Sequence, residues 1–261
     1  RRAFDTLVAC RAREAEARKA AALRLVAELL IDVAGAHVII SEDDAQTLSD
    51  AVSGLNQQVR GREQHFIAAL LKLYRFNRHD VDAPDLPLSA GRWEDELFSP
   101  ETLRMAGARL GGGAAAGAAA GLGIDMMVGG LSLGAGAMIG ALAGGGWQTV
   151  RHYGDRLLGK ITGRRELSVD DSVLRALTVR ALYLVRALEG RGHAAMEPIR
   201  QLGEKLATQT FSSGNVAGLL REARARREWS ALLTPPDDPI GRQDAIDRLG
   251  DELAYALPTG D

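Results

Sequence analysis

The chain has 261 residues, 46% hydrophobic and 25% charged, enough to bury a sizeable core in one or two domains. A formal net charge of −2 leaves no electrostatic footprint for nucleic acid, and a single cysteine, Cys10, excludes an internal disulfide. The first 30 residues are charged throughout and read as no signal peptide, and the opening Arg1-Arg2 reads as a start inside a longer protein.

The segment from Ala3 to Ala34 predicts one long helix, rich in Ala, Leu, Arg and Glu, with no Gly or Pro before Gly35. Leu23, Val26, Ala27, Leu30 and Ala34 recur at three and four and form its apolar face. Residues 36–40 read as a brief extended connection. Ser41 and Asp44 have capping-box spacing, and a second helix follows to about Phe76 on Leu48, Val52, Leu55, Val59, Phe66, Leu70 and Leu73. Two long amphipathic helices with a short link predict an antiparallel hairpin. Residues 77–98 hold two prolines without a sustained helical period and read as a loop that packs its Leu, Trp and Phe on the surface.

Ser99-Pro100 is a helix start, with Ser as N-cap and Pro at the first helical position. A Gly/Ala-rich segment follows, and from Gly111 to Trp147 it holds one charge, Asp125. Sliding it by 23 residues brings the glycines into register, and each copy contains a G-x-x-x-G-x-x-x-G run. The runs are Gly113, Gly117, Gly121 and Gly136, Gly140, Gly144. Four-residue spacing stacks these glycines on one helix face, where a second backbone can approach closely. Each glycine costs about 1 kcal/mol in a helix relative to Ala, so close packing or a membrane must compensate. The expectation is a hairpin of two glycine-ridged helices about Asp125, which serves as turn residue or N-cap.

The uncharged stretch from Met126 to Val150 is long enough to span a bilayer core of about 30 Å, whereas Leu110 to Ile124 is short and weakly apolar. Basic residues flank both ends: Arg104, Arg109, Arg151, Arg156 and Lys160. Membrane contact and burial inside the protein both remain open.

Beyond this segment, Ser168 and Asp171 have capping-box spacing before a helix over 170–189, with Val173, Leu174, Leu177, Leu184, Val185 and Leu188 inward. Shorter helices near 195–208, 215–233 and 239–256 complete the chain, the last started by Asp238-Pro239. No alternating strand is read, so the predicted fold is all-α: long antiparallel helices and a central Gly/Ala-rich helical hairpin. The expected parts are 1–98, 99–165 and 166–261, forming one compact domain.

Motifs of chemistry are weak. Gly154 to Ile161 carries the G-x-x-x-x-G-K of a phosphate loop, but Ile161 stands where Ser or Thr should hold magnesium, and no strand precedes it. The G-x-G patterns near 121–123 and 134–136 lack a βαβ context. The five histidines are scattered, and the loop of His79, Asp80, Asp82 and Asp85 is broken by Ala83-Pro84 as a calcium site. A basic run on the helix near the C-terminus, Arg221, Arg224, Arg226 and Arg227, is diluted by Glu222 and Glu228. It reads as a solvated face or as a surface for anionic lipid, RNA or an acidic partner. No catalytic residue, cofactor-binding residue or metal ligand is assigned.

Several segments together carry a resemblance: "ALLKLYRF", "DLPLSAGRWEDELFSPETL", "GAAAGLGIDMMVGGLSLGAGAMIGALAGG", "QTVRHYGDRLLGK", "RELSVDDSVLRAL" and "RGHAAMEPI". They resemble a domain of unknown function found C-terminal to an Era-like GTPase domain in bacterial proteins. The resemblance implies GTP and magnesium in that other domain and none in this chain, which has no phosphate loop, D-x-x-G switch or N-K-x-D guanine reader in context. It implies the GTPase domain as a partner. The lone cysteine suits a reducing cytoplasm, and the Gly/Ala hairpin with its basic flanks leads to an expectation of peripheral association at the inner membrane or with another protein. The functional expectation is a non-catalytic helical effector domain that couples nucleotide state to docking. The alternative is a protein- or RNA-interaction scaffold with the Gly/Ala hairpin buried in its core.

Overall fold

The structure, a computed structural model, describes residues 2–40, 45–76, 88–89, 92–99, 102, 124–128, 131–133, 165–190, 206, 208–211 and 215–257. It is mostly helical, broadly all-α, with small antiparallel strand pairings.

The first helix, α1 (Arg2–Ala34), has two unlike halves. Its last turns are buried on every side: Val26, Ala27, Leu29, Leu30, Ile31, Val33 and Ala34 are solvent-free. A helix apolar all round belongs at the centre of a core, and the helices at Ala45–Leu73, Asp171–Glu189, Val216–Ala225 and Pro239–Ala256 pack against α1. Its first turns carry Phe4, Leu7 and Val8 in water, at 68%, 53% and 52% exposure.

Helix α2 (Ala45–Leu73) follows the expected apolar stripe: Leu48, Val52, Leu55, Val59, Phe66 and Leu70 are buried. Arg18 lies over the Tyr74 ring, and Asp32 meets Arg62, so α1 and α2 run antiparallel. The helix ends in a Schellman motif: Phe76 N–H donates to Leu71 O at 2.8 Å and Arg75 N–H to Lys72 O at 3.0 Å. Arg75 takes the left-handed position with φ 61, where glycine is usual.

Strands depart from the expectation that none would form. The extended link at 37–40 is strand β1 (His37–Ile40), and the proline-containing loop contributes a short hairpin of β2 (Leu88–Ser89) and β3 (Arg92–Trp93). Within the glycine-rich segment lie β4 (Ile124–Val128) and β5 (Leu131–Leu133), and β6 (Arg165–Val169) completes a sheet of order β1-β6-β4-β5. All its pairs are antiparallel. The second limb therefore does not begin as a helix at Met126. Asp125 is a strand residue opposite Ser168, not a turn or N-cap between two helices. The apolar strand positions are short and lack the long alternation that marks a strand in sequence. Gly113, Gly117, Gly121, Gly136, Gly140 and Gly144 lie outside the described residues, as do Ser41 and the Gly154–Ile161 motif. Among the described residues, no helix is long and apolar enough to cross a membrane.

Helix α3 (Asp171–Glu189) buries every residue predicted to face inward. Its N-cap is Asp170, whose carboxylate accepts from Ser172 N–H at 2.7 Å, whereas Ser168 lies inside β6. Helix α4 (Val216–Ala225) stops before the predicted end, and a 3₁₀ turn at Arg227–Trp229 leads to α5 (Pro239–Ala256). Asp238 caps α5 as expected, accepting from Gly241 N–H at 2.9 Å and from Trp229 Nε1–H at 2.9 Å. Ser99 likewise accepts from Thr102 N–H at 3.1 Å. One continuous core draws on residues from Ala22 to Leu257.

Candidate functional site

Three polar clusters each join elements distant in sequence. The first is centred on Asp32, which is 2% exposed. It follows Leu29-Leu30-Ile31, an apolar run that drags it inward. Its carboxylate accepts from Arg62 Nε at 2.8 Å, Arg242 Nη2 at 2.9 Å and Ala231 N–H at 3.0 Å. Its carbonyl accepts from Ser230 Oγ at 2.6 Å. Charge, hydrogen bonding and burial are thus satisfied together, the condition under which an interior carboxylate is tolerated.

The second cluster joins α2, α3 and residues 92–99. Glu63 and Arg180 are both buried, and Arg180 Nε lies 3.0 Å from Glu63 Oε1. That contact lacks the alignment of a hydrogen bond, and the bond between Arg180 Nη2 and Glu63 Oε2 is long at 3.4 Å. Burial pushes the Glu63 carboxyl up to about 7, against the pull of Arg180 and with a further push from Glu96. Burial lowers Arg180, with Glu63 opposing. The guanidinium also lies 4.5 Å from the Trp93 ring centroid, and Trp93 is tilted against Tyr183.

The third cluster lies where α4 and the 3₁₀ turn meet the sheet. The register sets Ser168 opposite His37 on one side and Asp125 on the other. His37 Nδ1 donates to Gly35 O at 2.7 Å, since a carbonyl can only accept, and Nε2 sits 3.7 Å from Glu166 Oε1. Burial is the largest influence on His37 and holds it below its ordinary value. Glu166 pairs with Arg227, and Arg224 bonds Val169 O at 2.7 Å and pairs with Asp171 at 2.8 Å. Arg226 pairs with Glu228 and lies over the Trp229 ring, while Arg221 is exposed. Three of the four arginines of the basic run, Arg224, Arg226 and Arg227, therefore meet groups of this same chain.

Gly35 explains how the elements of the first and third clusters meet so closely. A Cβ there would lie 3.1 Å from Ser230 Cβ and 3.3 Å from the carbonyl oxygens of Ala223 and Arg226. The bare backbone lets the end of α1 press against the turn after α4. Sequence reading missed Asp32, Glu63 and Arg180. The available signal for Asp32 and Arg180 was a lone charge within an apolar run, in LLIDVA and LTVRALYLV, whereas Glu63 lies in the polar stretch VRGREQHF and carried none. Among the described residues, no group of His, Cys, Asp and Glu is arranged to hold a metal ion.

The fold and its clusters define a helical domain built around a central helix and tied to a small antiparallel sheet. The chain belongs to a family described as a domain of unknown function (DUF3482), whose model matches residues 1–251. No curated protein and no solved structure matches the chain.

Proposed function

We propose that this domain is a non-catalytic effector module of a GTP-binding protein, in which the nucleotide state of a GTPase domain governs docking on a membrane or protein partner. The resemblance to domains that follow an Era-like GTPase supplies the partner. One observation carries the mechanism: α1 is continuous from solvent to the core, then passes through Gly35 into β1. From there backbone pairing runs β1 to β6 to β4 to β5. A shift applied to the exposed first turns of α1 would travel along this hydrogen-bonded path to the β4–β5 hairpin, which the two glycine runs flank in sequence. Rigid elements in continuous contact are the physical means by which a displacement is carried.

The test is hydrogen exchange of the full-length protein in its GTP and GDP states, together with liposome co-sedimentation. The expected result is a nucleotide-dependent change at residues 2–18 and 124–133, accompanied by a change in membrane or partner binding. Identical exchange and identical partition in both states would sink the idea.

A further inference from the structure

Residues 92–99 are fastened to the helical body through side chains. Among the described residues, the Ser99 N–H to Glu96 O bond stays inside the segment, and no backbone–backbone bond joins it to a helix. Two arginines grip it instead. Arg180 from α3 donates to Asp95 O at 3.2 Å and lies over Trp93. Arg60 from α2 bonds Glu96 at 2.8 Å and lies 4.8 Å from the Phe98 ring centroid. Leu97 and Phe98 are buried beneath. Arg180 faces Glu63, which is buried between α2 and α3 and short of well-aligned donors.

We propose that residues 92–99 form a strap whose docking on α2 and α3 is coupled to a proton carried by Glu63. The groups facing Glu63 are Arg180 from α3, Arg60 from its own helix, and Glu96 from the strap. Burial, reinforced by Glu96, makes the docked carboxyl hold its proton up to about pH 7. Lifting the strap lets water reach Glu63 and removes Glu96, so its affinity for the proton falls toward the ordinary carboxylate range. Docking therefore takes up a proton. The strap is tightest in mild acid and loosens as pH rises through neutrality, by about tenfold between pH 6 and pH 8. The segment ends at Ser99, whose Oγ accepts from Thr102 N–H at 3.1 Å, so the same proton governs the anchor of the chain entering the glycine-rich region. This inference stands whether or not a GTPase partner exists.

Hydrogen exchange of the 261-residue chain at pH 6 and pH 8, corrected for intrinsic rates, tests it. The expected result is about a tenfold loss of protection at residues 93–99 at the higher pH, with α2 and α3 unchanged. Glu63→Gln, neutral at both values, should show no such difference. Equal protection of the wild-type segment at both pH values, or the same drop in Glu63→Gln, overturns the proposal. Glu96→Gln guards against a folding defect at the buried position, because Glu96 is half-exposed. It should move the midpoint to lower pH, and an unmoved midpoint counts against the coupling.

Discussion

Asp32 and Glu63 are both buried carboxylates, and α2 serves both through adjacent residues: Arg62 reaches Asp32, while Glu63 reaches Arg180. Asp32 has two arginines and a backbone N–H, all at ordinary hydrogen-bond distances. Glu63 has one arginine, poorly aligned, and a carboxyl pushed up to about 7. The same kind of ion pair thus acts as a fixed tie at one site and a titratable joint at the other. Donor number and alignment decide between them, because attraction must replace the water lost on burial.

The largest test of that contrast is Asp32→Ala, which strands Arg62 and Arg242 and frees Ala231 N–H. It should lower stability by about 3–5 kcal/mol in urea unfolding. A loss under about 1 kcal/mol would show that Asp32 is not the stronger tie. Next comes pH. Glu63 has a folded value raised above its unfolded one, so its contribution is fully present below about 4.5 and is lost as pH rises through about 7. Wild-type stability should fall over that window by up to roughly 3 kcal/mol, and Glu63→Gln should flatten the curve. His37 works in the opposite sense: its value is lowered, so protonation below its ordinary range weakens the fold. A His37→Gln variant separates the two contributions.

Smaller again is Arg75→Gly at the end of α2. It relieves a left-handed backbone and should raise stability by about 1 kcal/mol without touching either cluster. The smallest effect belongs to the exposed pair of Arg248 and Glu222, 2.6 Å apart. A double-mutant cycle should return under about 0.5 kcal/mol, the limit that water sets on such pairs.

The helices were legible in sequence because their apolar residues repeat over many turns. α1, α2, α3 and α5 lie close to where periodicity and caps place them. The sheet was not legible. Its strands are three to five residues long, and Ile124–Val128 sits within glycine-rich sequence where a helical hairpin satisfied the spacing equally well. Asp125 stood out in sequence as the lone charge of its stretch, but its place opposite Ser168 depends on pairing with a strand some forty positions away. Ser168 and Asp171 matched a capping box in spacing alone, and Asp170 holds the cap because β6 claims Ser168. The clusters at Asp32 and Glu63 required knowing which helices meet.

The burial of the second half of α1 also sets an order of events. Its neighbour α5 is the last described helix of the chain, and Lys19 Nζ donates to Leu257 O, 238 positions away. During synthesis the apolar faces of α1 emerge well before α5 and wait until it has followed. Such distant closure slows folding and leaves an early helix in need of temporary cover. Shortening the chain within α5 would uncover the centre of the core, so its final turns act as the closing stone of the domain.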